Sequence, residues 1–223
     1  MNTQHNDFIH EIEEELKWEQ LKNFGSKYGL HVIMGIFAII LGASGYIYWN
    51  HHQMQLRHAE SRKLATAIQS EAKGQPQEAL DILKKLGTEG GTYGMLAKFQ
   101  RAAILVEKPE TKEDGIAIYR EMIQQRNVDR RYRDLAIIFY VQVQLDTGDV
   151  AEMRKLLQEA YAGVNMWPDA TAELTALVAL RAGDKEQAIS ILKGLVESKT
   201  AVRGIKMRAE ALLQSLGEEK KDG

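Results

Sequence analysis

The chain contains no cysteine. That absence removes disulfides, thiolate nucleophiles and zinc–thiolate sites together, although it does not fix the compartment. Histidine stops early: His5, His10, His31, His51, His52 and His58 are all six, and nothing after residue 58 adds another. Proline numbers only three, few for an all-β protein. Neither sign of charge dominates. Lysine and arginine total 29 against 31 aspartate and glutamate, a net charge of -2, whereas bulk nucleic-acid binding ordinarily shows a basic excess. There is no Gly-rich phosphate loop and no Ser-His-Asp set, so the sequence reads as a non-enzyme with no cofactor and no metal. Carboxylate pairs are abundant, but on helices they are ordinary, and a hydrolase would need them converging in an enclosed cleft. What the chain has in plenty is alanine, leucine, glutamate, lysine and glutamine, which favour helix. Its 223 residues allow one medium-sized domain plus short extras.

One long uncharged run stands out. Leu30 to Trp49 holds no Asp, Glu, Lys or Arg. Twenty helical residues rise about 30 Å, the thickness of a bilayer core. Tyr46, Tyr48 and Trp49 crowd its C-terminal end, where aromatic rings favour the headgroup boundary. The 29 residues before it are too long and too acidic for a signal-peptide n-region, and no Ala-x-Ala follows, so the run reads as an uncleaved signal anchor. Lys17, Lys22 and Lys27 precede it, and Arg57, Arg62 and Lys63 follow it. That balance gives no orientation by the positive-inside rule. Gly35, Ala38, Gly42 and Gly45 fall on one face of the span, a surface another helix can approach closely, whether a second copy or a different protein.

Residues 1–29 precede the span. Within them Ile9, Ile12 and Leu16 make an apolar stripe opposite Glu11, Glu13, Glu14 and Glu15. Anionic lipid repels such a face. The segment reads either as a docking element for a protein or as a solvated lead-in to the span.

After the span the sequence repeats. Gly74-Gln-Pro-Gln-Glu78-Ala79-Leu-Asp-Ile-Leu83, Gly148-Asp-Val-Ala-Glu152-Met153-Arg-Lys-Leu-Leu157 and Gly183-Asp-Lys-Glu-Gln187-Ala188-Ile-Ser-Ile-Leu192 align without gaps, and Asp114-Gly115-Ile116-Ala117-Ile118-Tyr119 follows loosely. Gly ends one helix in a left-handed conformation. Asp149 or Asp184 caps the next, with Glu152 or Gln187 three residues on. Pro76 suits a first turn. Ala79, Gly115 and Ala188 let the two helices of a hairpin approach, and Ala67, Ala103, Val141 and Ala176 sit on the first helix of each pair. The pattern resembles the tetratricopeptide repeat, a helix-turn-helix of about 34 residues. The expected fold is all-α: an N-terminal transmembrane helix over 30–49, then a helical-hairpin solenoid of about four units within 50–216. Residues 201–216 form its capping helix, and 217–223 a flexible tail.

Two strings carry a narrower resemblance. Gly45-Tyr-Ile-Tyr-Trp-Asn-His-His-Gln53 closes the span, and Gly91-Thr-Tyr-Gly-Met-Leu-Ala97 opens the second unit. With one span and TPR-like repeats, the chain is similar to the bacterial ancillary SecYEG translocon subunits. The resemblance implies an inner-membrane protein with a cytoplasmic N-terminus and a periplasmic repeat domain, associated with the translocon and with chaperone work on secreted chains. The glutamate-rich N-terminal segment departs from that family's pattern.

Repeats of this kind bind through the concave face lined by each first helix. Counted from the glycines, that face holds Leu64, Ile68, Gln100, Ile104, Ile138, Gln142, Glu173 and Leu177. None is a cation, so clamping of a terminal carboxylate is disfavoured, and an apolar and amide surface suits unfolded segments. His51, His52 and His58 share a helix face, yet no carboxylate at suitable spacing completes a metal site. Arg126, Arg130, Arg131 and Arg133 read as a solvated face rather than a lipid or partner contact. Two functions remain: a translocon-associated, chaperone-like binder of secreted chains, or a scaffold in another envelope complex such as cell division or cytochrome assembly.

Overall fold

The computed structural model describes residues 46, 48, 49, 51, 54–125, 127–162 and 166–217. The chain divides into two compact units, Met1–Ala59 and Glu60–Gly223. In the first unit, every described residue is helical, and Tyr46, Tyr48 and Trp49 are exposed. The rest of the expected span, its small-residue face Gly35, Ala38, Gly42 and Gly45, and the N-terminal segment 1–29 lie outside the described residues. Among the described residues no helix is long and apolar enough to cross a membrane. Residues 218–223 of the expected tail also lie outside them.

The second unit is helical, and among its described residues there is no strand. α1 covers 60–72. Then follow α2 Pro76–Glu89, α3 Gly91–Val106, α4 Lys112–Gln124, α5 Arg130–Gln144, α6 Val150–Tyr161, α7 Pro168–Arg181, α8 Lys185–Glu197 and α9 Arg203–Ser215. Each helix from α2 onward packs on the next. The odd-numbered helices also touch one another, α3 on α5, α5 on α7 and α7 on α9, whereas the even-numbered ones do not meet. That asymmetry curves the stack, with the first helices of successive hairpins on the inside.

Local sequence explains the turns. After α1, Gly74 takes φ +74°, its N–H bonds Glu71 O, and Gln75 N reaches back to Ser70 O at 2.9 Å. Gly183 repeats this after α7 at φ +80°, with Asp184 N on Ala179 O at 2.9 Å. Both are the double-bonded helix ending that a left-handed residue permits. Gly148 departs from the expectation: its φ is not positive, and it is needed because a Cβ there would lie 2.9 Å from Gln144 O. Asp149 accepts from Ala151 N at 2.6 Å and Glu152 N at 3.1 Å, and Asp184 from Gln187 N at 3.1 Å. Each such cap is worth about 1 kcal/mol. The reciprocal arm of a capping box is absent at α6, because Glu152 turns instead to accept from the Tyr140 hydroxyl at 3.0 Å.

Packing forms three successive clusters. Ala67, Ala79, Leu83 and Leu86 join Ala97 and Ile104 of α3. The opposite side of α3 gives Phe99, Ala102 and Leu105 to a central cluster with Ile116, Met122, Tyr140, Met153 and Leu157. α7 likewise divides, Leu174 and Val178 facing the centre while Ala176 and Ala179 face Ala188, Leu192 and Leu213. Small residues set the close crossings. Ala67, Ala79, Ala176 and Ala188 are fully buried, and a Cβ on Gly115 would fall 2.8 Å from Ala102 O.

Candidate binding groove

The inner side of the curve carries a cavity of about 540 Å³. α1 contributes Leu64 and Ile68, three residues before and one after the buried Ala67 that anchors this helix. α3 contributes Leu96, Gln100 and Ala103, and Glu107 caps its C-terminal end, the four spaced four, three and four apart along one face. α5 contributes Phe139, Gln142 and Val143. The floor is aromatic. Phe139 packs edge-on against Phe99 at 5.7 Å between ring centroids and stacks on Tyr119 at 5.8 Å. Burial pushes the Tyr119 hydroxyl up to about 12, so this ring stays neutral at any physiological pH. At the rim the Gln100 amide donates to Glu71 Oε2 at 2.7 Å. No lysine or arginine lines the cavity.

The eight residues expected on the concave face therefore separate. Leu64, Ile68, Gln100 and Gln142 come together around this cavity. Ile104 and Ile138 are buried, 5% and 7% exposed, one in each of two core clusters. Leu177 is partly buried against the central cluster. Glu173 is 9% exposed, and both its oxygens accept from Arg208 of α9, at 2.6 and 2.7 Å. Phe139 and Glu107 belong to the groove and escaped the count. Ile138 turns into the central cluster while its neighbour Phe139 lines the cavity; of the counted positions, Gln100 and Ile138 alone have an aromatic neighbour, Phe99 and Phe139, and that was the available signal.

A second cavity of about 550 Å³ opens between α6, α7 and α8, lined by Leu157, Tyr161, Thr175 and Ile191, with Arg154 held 3.8 Å from Asp184 at its edge. Two arginines of the basic cluster are turned on the protein itself. Arg131 pairs with Asp129 at 2.8 Å, and Arg130 pairs with Asp134 at 3.4 Å while donating to Glu159 O and Ala162 O at the end of α6. Arg126 and His52 lie outside the described residues. Among the described residues no three histidine, aspartate or glutamate side chains gather as a metal site would require.

A curved stack of helical hairpins with an apolar inner groove defines a protein-binding repeat domain. Residues 22–214 match the tetratricopeptide repeat-like domain family, and the chain belongs to it. The chain is 26% identical over 188 residues to the ancillary SecYEG translocon subunit of Escherichia coli (strain K12), covering 81% of this chain and 85% of that one. It is 27% identical over 181 residues to the ancillary SecYEG translocon subunit of Aggregatibacter actinomycetemcomitans, covering 79% and 85%. The resemblance drawn from two short strings thus extends over most of each chain. No solved structure matches.

Proposed function

We propose that this chain is a membrane-anchored, non-enzymatic binding protein that works beside the SecYEG translocon and holds secreted chains while they are unfolded. In this reading residues 30–49 span the bacterial inner membrane once, the N-terminus is cytoplasmic, and residues 50–216 form a periplasmic domain. The Gly35, Ala38, Gly42 and Gly45 face packs against a neighbouring helix, either in the translocon or in a second copy. That both similar proteins are ancillary SecYEG translocon subunits supports the translocon as partner.

The observation that carries the client-binding role is the groove. Its floor and walls are apolar and aromatic, its rim offers amides, and three successive first helices share it. Burying a large apolar side chain yields about 1.5–3 kcal/mol. Ordering an extended chain costs much of that gain. The balance is weak, reversible binding with little demand on sequence, which is what a holder of unfolded segments needs.

Photocrosslinking in intact membranes tests the reading, with photoreactive residues placed at Gly42 and at Gln142. Translocon subunits captured at Gly42 and many different secreted chains at Gln142 are the expected products. One folded partner at both positions, without translocon subunits, would instead make the protein a scaffold of another envelope complex.

A further inference from the structure

Resting on the reading that the groove holds unfolded segments, we propose that it selects them by charge, taking extended segments that combine aromatic or large aliphatic residues with lysine or arginine and turning away acidic ones. Glu107 is the one charged side chain lining the cavity among the described residues. A second carboxylate, Glu71, is fixed at the rim by the Gln100 amide at 2.7 Å. That hydrogen bond positions the charge without neutralising it. Two nearby lysines are engaged elsewhere: Lys63 bonds Glu89 at 2.5 Å, and Lys98 bonds Glu121 at 2.9 Å. Lys108 and Glu110, in the turn after Glu107, oppose each other in sign.

The groove therefore presents negative charge above an apolar floor with no lining cation to offset it. Beside low-polarity walls the attraction of a carboxylate for an ammonium or guanidinium exceeds its value in bulk water. The partly exposed Phe139 ring adds to the preference, since aromatic faces attract cations. The cavity's volume admits a few side chains and no folded domain, which makes the occupant an extended segment.

The test uses the full-length protein in phosphatidylcholine nanodiscs, whose zwitterionic surface does not concentrate cationic peptides. Fluorescence anisotropy follows three labelled peptides: one apolar and lysine-bearing, one with each lysine replaced by glutamate, and one with lysines retained but its apolar residues replaced by serine. The lysine peptide should bind about tenfold tighter than the glutamate peptide at low salt. The ratio should shrink as salt rises, and should fall to about twofold in the Glu71→Gln, Glu107→Gln double variant. The serine peptide should not bind. Equal binding of the lysine and glutamate peptides, weakened alike by Ile68→Ser, overturns charge selection and leaves the groove reading standing. Binding of neither overturns both. A lysine preference undiminished in the double variant overturns the assignment to Glu71 and Glu107.

Discussion

Arg208 holds Glu173 through Nε at 2.6 Å and Nη2 at 2.7 Å, fastening α9 to α7 across 35 positions of sequence. Asp169 adds a second latch, accepting from Val202 N at 2.9 Å. The pair belongs to the capping of the solenoid. Arg208→Leu should destabilise the domain by about 1–3 kcal/mol, because Glu173 is left without its partner. The 59% exposure of the Arg208 side chain keeps the cost toward the lower end. Thermal unfolding by circular dichroism reads the change, and an unaltered melting temperature would refute the latch. Peptide binding in the groove should be unaffected.

Gly115 and Gly194 make opposite predictions. A Cβ on Gly115 would lie 2.5 Å from Val106 Cγ1 and 2.8 Å from Ala102 O, with backbone on one side of the clash. Gly115→Ala should therefore cost about 1–3 kcal/mol. Gly194 sits inside α8 with nothing within 4 Å of a Cβ, so Gly194→Ala should stabilise by about 0.5–1 kcal/mol. Urea denaturation of the two variants side by side checks both signs.

Asp134 is 4% exposed, and burial raises its carboxyl above the ordinary 3.8 despite Arg130 alongside. The folded state holds this proton more tightly than the unfolded one. Its contribution to stability is therefore fully present below 3.8 and is lost as pH rises through the folded value. Asp129 runs the other way: hydrogen bonding by Arg131 lowers it to about 2, so its contribution is present above 3.8 and is lost as pH falls toward 2. Asp134→Asn should flatten the decline on the rising side and leave the acid side intact. Stability curves at stepped pH for the wild type and the Asn variant show this; parallel curves would count against it.

Ile68 is 47% exposed at the groove wall. Ile68→Ser should change stability by no more than about 0.5 kcal/mol, as exposed positions usually do. It should weaken apolar peptide binding by roughly fivefold through the contact area lost. Anisotropy titration together with a melting curve separates the two effects, and equal loss in both would make Ile68 a structural residue.

The hairpins were legible because turn chemistry is local. Gly74 and Gly183 adopt the left-handed conformation that the repeat requires, and Asp149 and Asp184 cap the helices they precede. Gly148 serves the same turn by a different route, close approach instead of positive φ, which no single position announces. The groove was legible in part because spacing from a glycine gives height along a helix and leaves rotation about its axis open. That rotation is set by the neighbours: α3 divides its sides between two clusters and draws Ile104 inward, while Phe139 displaces Ile138 at the floor. Glu173 was hidden for another reason, its partner lying in the capping helix.

The cavity belongs to no single hairpin: α1, α3 and α5 come from three consecutive ones. A segment seated there ties those hairpins together, and by thermodynamic linkage it stiffens the stack by as much as the curved stack favours the segment. The dependence runs in reverse as well. On the proposed client-holding reading, a neighbour that straightened the curve would widen the gap between first helices and weaken the groove's hold on a bound segment.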